Sequence, residues 1–547
     1  MSDNQQTSVP EEPLEEDTEM RQEGQKELEV SPDTSNPYLM GWRLYLTTVG
    51  LLICLYLVNI ETTIVSTSLI TITDNLHGFN RTSWIVTGYL ITYTGFIILW
   101  SKLSDIIGRK PAILATIAIF IAFSLGCGLS QSMSQLIICR AFQGIGSAGA
   151  YSISILIFYE MVPKSKLHLY GGLVSMSVAL GFSTGPLFGG LLDDHSNWRW
   201  VFYINLPIGG VAICLLMIAL PMSFGKQQHH RRLSRSLQRI DIVGAVLLLT
   251  GSLPLVTALN EVNVQFRWSD SATIALLTLS AIAWIAFLAW EYFITDTKRR
   301  QEPIFPTHFL VHRAWMGMLL TTFLVGVPSN VVVVTLPQRF QVVTGTSALV
   351  AGVRLLAFSS VSAVAAGIAG IASKKGQIPF VYFLMLGSIL HTVGVALLST
   401  LPENNHFPAA GYGYEILAGA GVGTTFGILV LATPFVVEPR DLAVATGAII
   451  QFRFLGGAIG LSIASNVLNG MLKSHLRDVL SPEQLQMLLQ DTAIIRTLSI
   501  QQQQAILAVF AQSYTIQFRI MIGFAAAQFP AAALLWRRGT QLTAVDN

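Results

Sequence analysis

Gly181-Phe-Ser-Thr-Gly-Pro-Leu-Phe-Gly-Gly190 lies in the middle of a long apolar run. Glycines at 181, 185 and 189 recur every four residues, so on a helix they form one smooth groove, which Gly190 widens. Pro186 removes a backbone N–H and bends a helix at that point. In water this stretch makes a poor helix. In a bilayer, small residues let helices approach closely and neighbouring helices re-satisfy freed backbone groups. The stretch therefore reads as a grooved, bent membrane helix in a protein whose helices rock against one another.

Composition extends this reading to the whole chain. It is 52% hydrophobic and 12% charged, where soluble domains run near 25% charged. A helical span needs about 20 predominantly apolar residues. Fourteen runs qualify, near 42–70, 84–100, 112–130, 135–158, 170–192, 201–222, 242–259, 272–293, 315–337, 348–371, 379–400, 409–437, 442–468 and 515–536. The expected fold class is an all-α polytopic membrane protein, with the lipid bilayer as its first partner. A net charge of +2 gives no basis for nucleic-acid binding. The placement of the charge says more. Lys102, Arg109, Lys110, Lys164, Lys166, Arg231, Arg232, Arg235, Arg239, Lys298, Arg299, Arg300, Lys374, Lys375, Arg440, Arg537 and Arg538 fall in alternate loops or the C-terminal tail. The intervening loops hold few cations, such as Arg81, Arg199 and Arg267. The positive-inside rule then puts both termini in the cytoplasm, which requires an even number of spans.

Residues 1–41 are expected as a disordered, acidic cytoplasmic tail, without the basic start and apolar core of a signal peptide. Residues 42–222 form a first six-helix half, 223–300 a basic linker with two extra spans, 301–538 a second six-helix half, and 539–547 a short cytoplasmic tail. Basic turns at Ser101–Lys110 and Gly370–Gly376 occupy equivalent places in the halves, as in a degraded internal repeat. One extended outer loop is expected near 470–510. There Leu480-Ser-Pro-Glu starts a helix, and Leu485, Leu488 and Leu489 give it an apolar face for the outer surface. The sequon Asn80-Arg-Thr82 sits too near span 2 to be glycosylated. Cys54, Cys127, Cys139 and Cys214 lie in spans without paired spacing and read as small buried residues.

Span 4 is the helix richest in polar residues. Arg140, Gln143, Gly144, Ser147, Tyr151 and Ser154 share one face of an otherwise apolar helix. An arginine in the bilayer costs several kcal/mol or more, so Arg140 must face protein or a wet cavity and have a partner. Glu61 is the acid of span 1. A carboxyl caught between desolvation and a nearby cation can exchange a proton near neutral pH. Asn59, Thr62, Thr63 and Ser66 form a polar stripe on the same span. Glu61 lies off that stripe, closer to Ser68, and periodicity leaves open which face lines a cavity. Asn59, Thr63, Gln143, Ser147 and Tyr151 are candidate cavity residues. So are Glu415, on a helix with Gly411, Gly419 and Gly423, and Arg453, on a face with Gly456, Gly457 and Gly460; a structural ion pair is the competing reading for the last two. Glu261, Glu291 and Glu438 lie at helix ends, within reach of water, and read as structural. His391 reads as a packing residue. Asp105 and Arg109 in the basic turn are either a gate or a solvated loop. No Walker loop, zinc-like spacing or nucleophile elbow is present, so no enzyme activity and no metal or cofactor site is expected.

Together these segments resemble the major facilitator superfamily, and within it the fourteen-span drug:proton antiporters of fungi. Ile60-Glu-Thr-Thr-Ile-Val65 is similar to the first-span motif, with Glu61 in place of the usual Asp and Ile70 where a Pro commonly follows. Trp84-Ile-Val-Thr-Gly-Tyr-Leu90 resembles the second-span pattern. Lys102-Leu-Ser-Asp-Ile-Ile-Gly-Arg-Lys110 resembles the loop motif, with Ser101 in place of its leading Gly. Arg140-Ala-Phe-Gln-Gly-Ile-Gly146 resembles the fourth-span motif that the family links to proton transfer. Gly181–Gly190 resembles the fifth-span antiporter motif, and Trp198-Arg-Trp-Val-Phe-Tyr-Ile-Asn-Leu-Pro-Ile-Gly-Gly210 is specific to the fourteen-span group. The second half is looser: Leu336–Gln341 fits the end of span 9, but Ala357 stands where a Pro is frequent.

The resemblance implies a major facilitator fold, two six-helix halves plus two central spans. It implies a proton gradient as energy source and export rather than uptake. Glu61 and Arg140 are then the proton-coupling residues, and Asp105, Gly108, Arg109 and Lys110 the gate. Gly181, Gly185, Pro186, Gly189 and Gly190 set helix packing. The expected function is proton-coupled export, by alternating access, of an amphipathic small-molecule substrate such as a drug, toxin or secondary metabolite. A monomer in the plasma membrane is expected. The alternatives are a carrier of basic amino acids or siderophores in the vacuolar membrane and, third, a non-transporting membrane sensor.

Overall fold

Fourteen long apolar helices account for nearly every membrane run among the described residues. The computed structural model describes residues 38–536 apart from 164–165, 196, 223, 225–240, 297–302, 306–307, 377, 404–406 and 438–441. Most of the acidic tail, the basic linker, Glu438 and the C-terminal tail lie outside the described residues. So do Lys164, Lys298, Arg299, Arg300, Arg440, Arg537 and Arg538. The helices are α1 (Gly41–Asn75), α2 (Thr82–Ile107), α3 (Arg109–Leu129), α4 (Met133–Met161), α5 (Leu167–His195), α6 (Asn205–Ala219) and α7 (Ile242–Glu261). They continue as α8 (Ser271–Asp296), α9 (Arg313–Val342), α10 (Ala348–Gly376), α11 (Phe380–Leu398), α12 (Ala409–Val436), α13 (Leu442–His475) and α14 (Ile500–Ala533). Helices that satisfy their own backbone are what an apolar chain must form where water is absent.

Where the ends are polar, side chains cap them. Ser132 accepts from Gln135 N at the start of α4, Asp241 from Gly244 N at α7, and Ser499 with Gln502 forms a capping box at α14. Gly108 joins α2 directly to α3 with φ +97°, a conformation that side chains strongly disfavour.

The outer segment is shorter than expected. α13 runs on to His475 and α14 begins at Ile500, so the loop is confined to 476–499. Residues 500–514 are helical because Ile506, Phe510 and Tyr514 pack into a local apolar core, where a bilayer-length count of apolar residues does not reach. The helix Pro482–Leu488 forms as its capping pattern predicts. Its leucines turn inward: Leu488 and Leu489 join Phe79, Leu472, Leu476 and Phe510 instead of covering an outer surface. Cys54 and Cys127 are buried and all four cysteines are free, but Cys214 is exposed on α6, contrary to its reading as buried.

The helices pair by one scheme used twice. In the first half α1 packs on α5 and α6, α4 on α2 and α3, and α3 on α6. In the second half α9 packs on α13 and α14, α12 on α10 and α11, and α11 on α14. The halves meet through α5 with α10, α2 with α13, and α1 with α9. α7 and α8 pack on each other, and α7 fills the seam between α2 and α13. Ser83 Oγ donates to Asn260 Oδ1 at 2.6 Å and Asn260 Nδ2 to Ser462 Oγ at 2.8 Å, tying α2, α7 and α13 together.

The glycine run makes two different contacts. On one side Gly181, Gly185 and Gly189 lie against α1: a Cβ at Gly181 would sit 2.8 Å from the Asn59 Cβ, and one at Gly185 would collide with the Thr63 hydroxyl. On the other side Gly190 rests on the backbone of Ala348 and Leu349, and Gly352 of α10 rests on the Pro186 carbonyl. One stretch therefore holds α5 against its own half and against the other. Overpacking of this kind costs about 1–3 kcal/mol, so Gly185→Val is expected to lower the thermal unfolding midpoint in detergent and to abolish transport in vesicles. Normal values of both would show that close approach here is dispensable.

Candidate transport site and its gates

α1, α3, α4 and α6 bring together five polar side chains at the centre of the first half. The Glu61 carboxylate accepts from Arg140 Nη1 through Oε1 and from Asn205 Nδ2 at 2.6 Å through Oε2. Arg140 Nη1 also donates to Gln143 Oε1 at 2.7 Å and its Nε to the Ile85 carbonyl at 3.0 Å. Gln143 Nε2 donates to Ser124 Oγ at 2.7 Å. The Arg140 guanidinium lies over the Tyr89 ring, 4.4 Å from its centroid. Glu61 is 0% and Arg140 1% exposed. The pair is thus enclosed by the protein, with the Ile85 carbonyl, Gln143 and Asn205 as further partners.

Consecutive residues of a helix point about 100° apart, and α1 uses this. Glu61 faces into its own half, while Thr62 and Thr63 line a central cleft between the halves. Phe182 of α5, Ser329, Asn330 and Val333 of α9, Phe358, Ser359 and Ser362 of α10, Val422 of α12 and Arg453 of α13 complete that lining. The Arg453 guanidinium lies 3.9 Å from the Phe426 centroid and 5.3 Å from that of Phe182, and its Nε has no hydrogen-bond partner. A second cleft toward the inner ends is lined by Ile97, Ser101, Tyr151, Ser152, Tyr159, Thr446, Gly447 and Ile450, among others.

The candidate cavity residues therefore separate. Thr63 and Arg453 line the central cleft and Tyr151 the second. Asn59 bonds back to the Leu55 carbonyl at 2.7 Å beneath Gly181. Gln143 belongs to the Arg140 network, and Ser147 donates to the Gln143 carbonyl at 3.0 Å. Glu415 is buried on α12 with neither carboxyl oxygen hydrogen-bonded, and lies within electrostatic reach of Arg354. His391 bonds Gln528 at 3.0 Å inside the second half.

Aromatic rings connect the two arginines. Tyr89 stacks on Tyr93 at 6.0 Å, Tyr93 meets Phe454 edge-on at 4.8 Å, and Phe454 lies 6.0 Å from the Arg453 guanidinium. Neither Tyr93 nor Asn205 was singled out from the sequence. A lone asparagine inside an apolar span was the available signal for Asn205.

Each end of the bundle carries its own fastening. At the inner end Arg109 is buried, its Nη1 2.6 Å from Asp105 Oδ1 and bonded to Ser104 Oγ, while Nε and Nη2 hold Glu160 at the end of α4. Lys110 Nζ donates to the Met217 carbonyl at 2.6 Å. Arg109 thus forms a packed clasp, while the Asp105 side chain remains 57% exposed. At the outer end Gln341 Nε2 of α9 donates to the Thr67 carbonyl at 2.6 Å. Asp194 accepts from Ala348 N and Leu349 N, both at 3.1 Å, capping α10 from the other half. Thr492 in the outer loop donates to Asp74 through its backbone N–H and its hydroxyl, both at 2.8 Å, and Asn80 N donates to the Leu489 carbonyl at 2.8 Å. These hydrogen bonds join the outer ends of the two halves.

Two pseudo-equivalent halves of membrane-length helices around a cleft define a polytopic membrane carrier. The family model of the Major Facilitator Superfamily matches residues 50–461, and the chain belongs to that superfamily. It is 41% identical over 506 residues to the MFS-type transporter FPY5 of Fusarium mangiferae, covering 92% of this chain and 85% of that protein. It is 28% identical to the efflux pump bfoC of Aspergillus brasiliensis over 94% of this chain and 91% of that protein. Among solved structures it is similar to a bacterial homologue of the human lysosomal transporter Spinster in an inward-facing, unoccupied conformation. There the TM-score is 0.61 at 15% identity, covering 91% and 98% of the two chains. The chain is a transporter and not an enzyme.

Removing one partner of a buried ion pair costs about 3–5 kcal/mol because the other charge is stranded, whereas an apolar replacement of both is close to neutral. Arg140→Ala is therefore expected to lose far more thermal stability than the double variant Glu61→Gln with Arg140→Met. Equal losses in a denaturation series would remove the ion pair as a structural element.

Proposed function

We propose that this transporter is a proton-coupled exporter of amphipathic organic compounds working by alternating access. The observation that carries the reading is the placement of Glu61: bonded to Arg140 and Asn205 out of water, and one residue away from the cleft-lining Thr62 and Thr63 on the same helix. A proton on Glu61 cancels its charge and weakens its hold on Arg140. Because α1 also carries the surface on which α5 rides, a change at Glu61 is delivered to the helix that joins the two halves. The tyrosines of α2 offer Arg140 a packed route to Arg453 and the cleft. The Arg109 clasp serves as the inner gate, and the Asp194, Gln341 and Thr492 contacts as the outer one.

The character of the cleft supports the substrate class. Phenylalanine rings alternate with small hydroxyls, and the charged lining residue is a cation, Arg453. Neutral or weakly acidic amphipathic molecules match that lining. A basic amino acid needs a carboxylate there, and Glu415 and Glu61 both lie elsewhere. Export agrees with relatives named efflux pumps and favours the plasma membrane, where export leaves the cell; each chain carries its own cleft, which suits a monomer.

The test is transport into inside-out vesicles with an acidic lumen, read with a fluorescent lipophilic dye of neutral or negative charge. The wild-type protein is expected to accumulate dye uphill, and Glu61→Gln and Arg140→Ala to lose accumulation driven by the gradient. Accumulation that ignores the gradient, or survives both substitutions, sinks the coupling scheme. Uptake of arginine and lysine in place of dye would support the alternative carrier.

A further inference from the structure

Asp241 and Glu291 stand outside both clefts, at the inner ends of the two additional helices. Asp241 caps α7, its Oδ1 accepting from Gly244 N at 2.8 Å and from Trp290 Nε1 of α8 at 2.8 Å. Glu291 follows Trp290 on α8, and its Oε2 accepts from Phe305 N at 3.2 Å. Read from the sequence, Glu291 belonged at a wet helix end; instead both residues are 0% exposed, because the chain at Pro303–Phe305 folds back over the end of α8. One oxygen of each carboxyl is left over. Asp241 Oδ2 and Glu291 Oε1 are both buried without a hydrogen-bond donor. Both leftover oxygens lie against Gly244: a side-chain carbon there would collide with Asp241 Oδ2 and stand 2.8 Å from Glu291 Oε1, and the two carboxyls act on each other.

A buried acceptor without a donor costs about 1–3 kcal/mol, and two adjoining carboxylates out of water also repel. A single proton, bound to one oxygen and donated to the other, removes both defects. We propose that Asp241 and Glu291 hold one proton between Asp241 Oδ2 and Glu291 Oε1, forming a cytoplasmic-side proton site separate from the Glu61–Arg140 pair. Its loss to water leaves two carboxylates in one pocket and forces them apart. Among the described residues, the charged groups acting on the pair are its own two members, on α7 and α8, and Lys102 of α2, which acts on Glu291 and donates to the Pro303 carbonyl at 2.9 Å. Phe305 anchors the same segment in the second half against Phe309 and Phe452. The shared proton thus fastens the additional helices to the entry of the second half, beside the loop motif that holds the inner clasp.

The test is infrared difference spectroscopy on the full-length protein in lipid nanodiscs, wild type against Glu291→Gln and against Asp241→Asn. In either variant the new amide donates where the proton did, so the remaining acid ionises while the packing is kept. A protonated-carboxyl band at neutral pH is expected in the wild type and is expected to be lost in each variant; the same band in all three overturns the proposal. Should one variant fail to accumulate, the other carries the measurement, which does not depend on the direction of transport.

Discussion

A polar group buried inside a membrane-spanning bundle is costly unless protein answers it. That constraint organises the molecule. It draws Glu61 and Arg140 from helices 79 positions apart in the chain into one ion pair, and it recruits Asn205, Gln143 and Ser124 to satisfy what the pair leaves over. It sends the hydroxyls of Thr62, Thr63, Ser66 and Thr67 back to carbonyls of their own helix. Where no partner is at hand, as at Asp241 and Glu291, the remaining means of neutralising a charge is a proton.

The same constraint ties energetics to motion. A fully satisfied pair is rigid, since each member has its geometry set by several neighbours. A proton delivered to Glu61 changes that accounting at once for α1, α4 and α6. The glycine contacts let α1 and α5 touch backbone to backbone, leaving no soft layer of side chains to absorb a shift. Displacement at the acid therefore has a stiff path to the helix that bridges the halves.

Much of the fold was legible in the sequence because it rests on length and hydropathy, which are local. Fourteen helices and the glycine face of α5 follow from runs and spacings alone. Partnerships were not legible. Arg140 announced that it needed a counter-charge, yet periodicity put Glu61 off the polar stripe of α1 and gave no means to orient it. The structure resolves this by giving the helix two polar faces, one for the cleft and one for the arginine. Glu291 was misread for a related reason: its distance from the helix end says wet, whereas it is buried and accepts a hydrogen bond from Phe305 N in the returning chain. The start of α14 was missed because Ile506 and Phe510 pack against a loop core outside the apolar length that a bilayer demands.

The two contacts between the halves, α5 with α10 and α2 with α13, are related by the repeat but do not have equivalent surroundings. α7 occupies the outside of the second, and α2 and α13 are mostly buried, whereas α5 and α10 are mostly not. One flank of the carrier is walled by its own helices and the other borders lipid. In the plane of the membrane the molecule consequently has a front and a back, and an oily solute dissolved in the bilayer meets the junction of the halves from one direction.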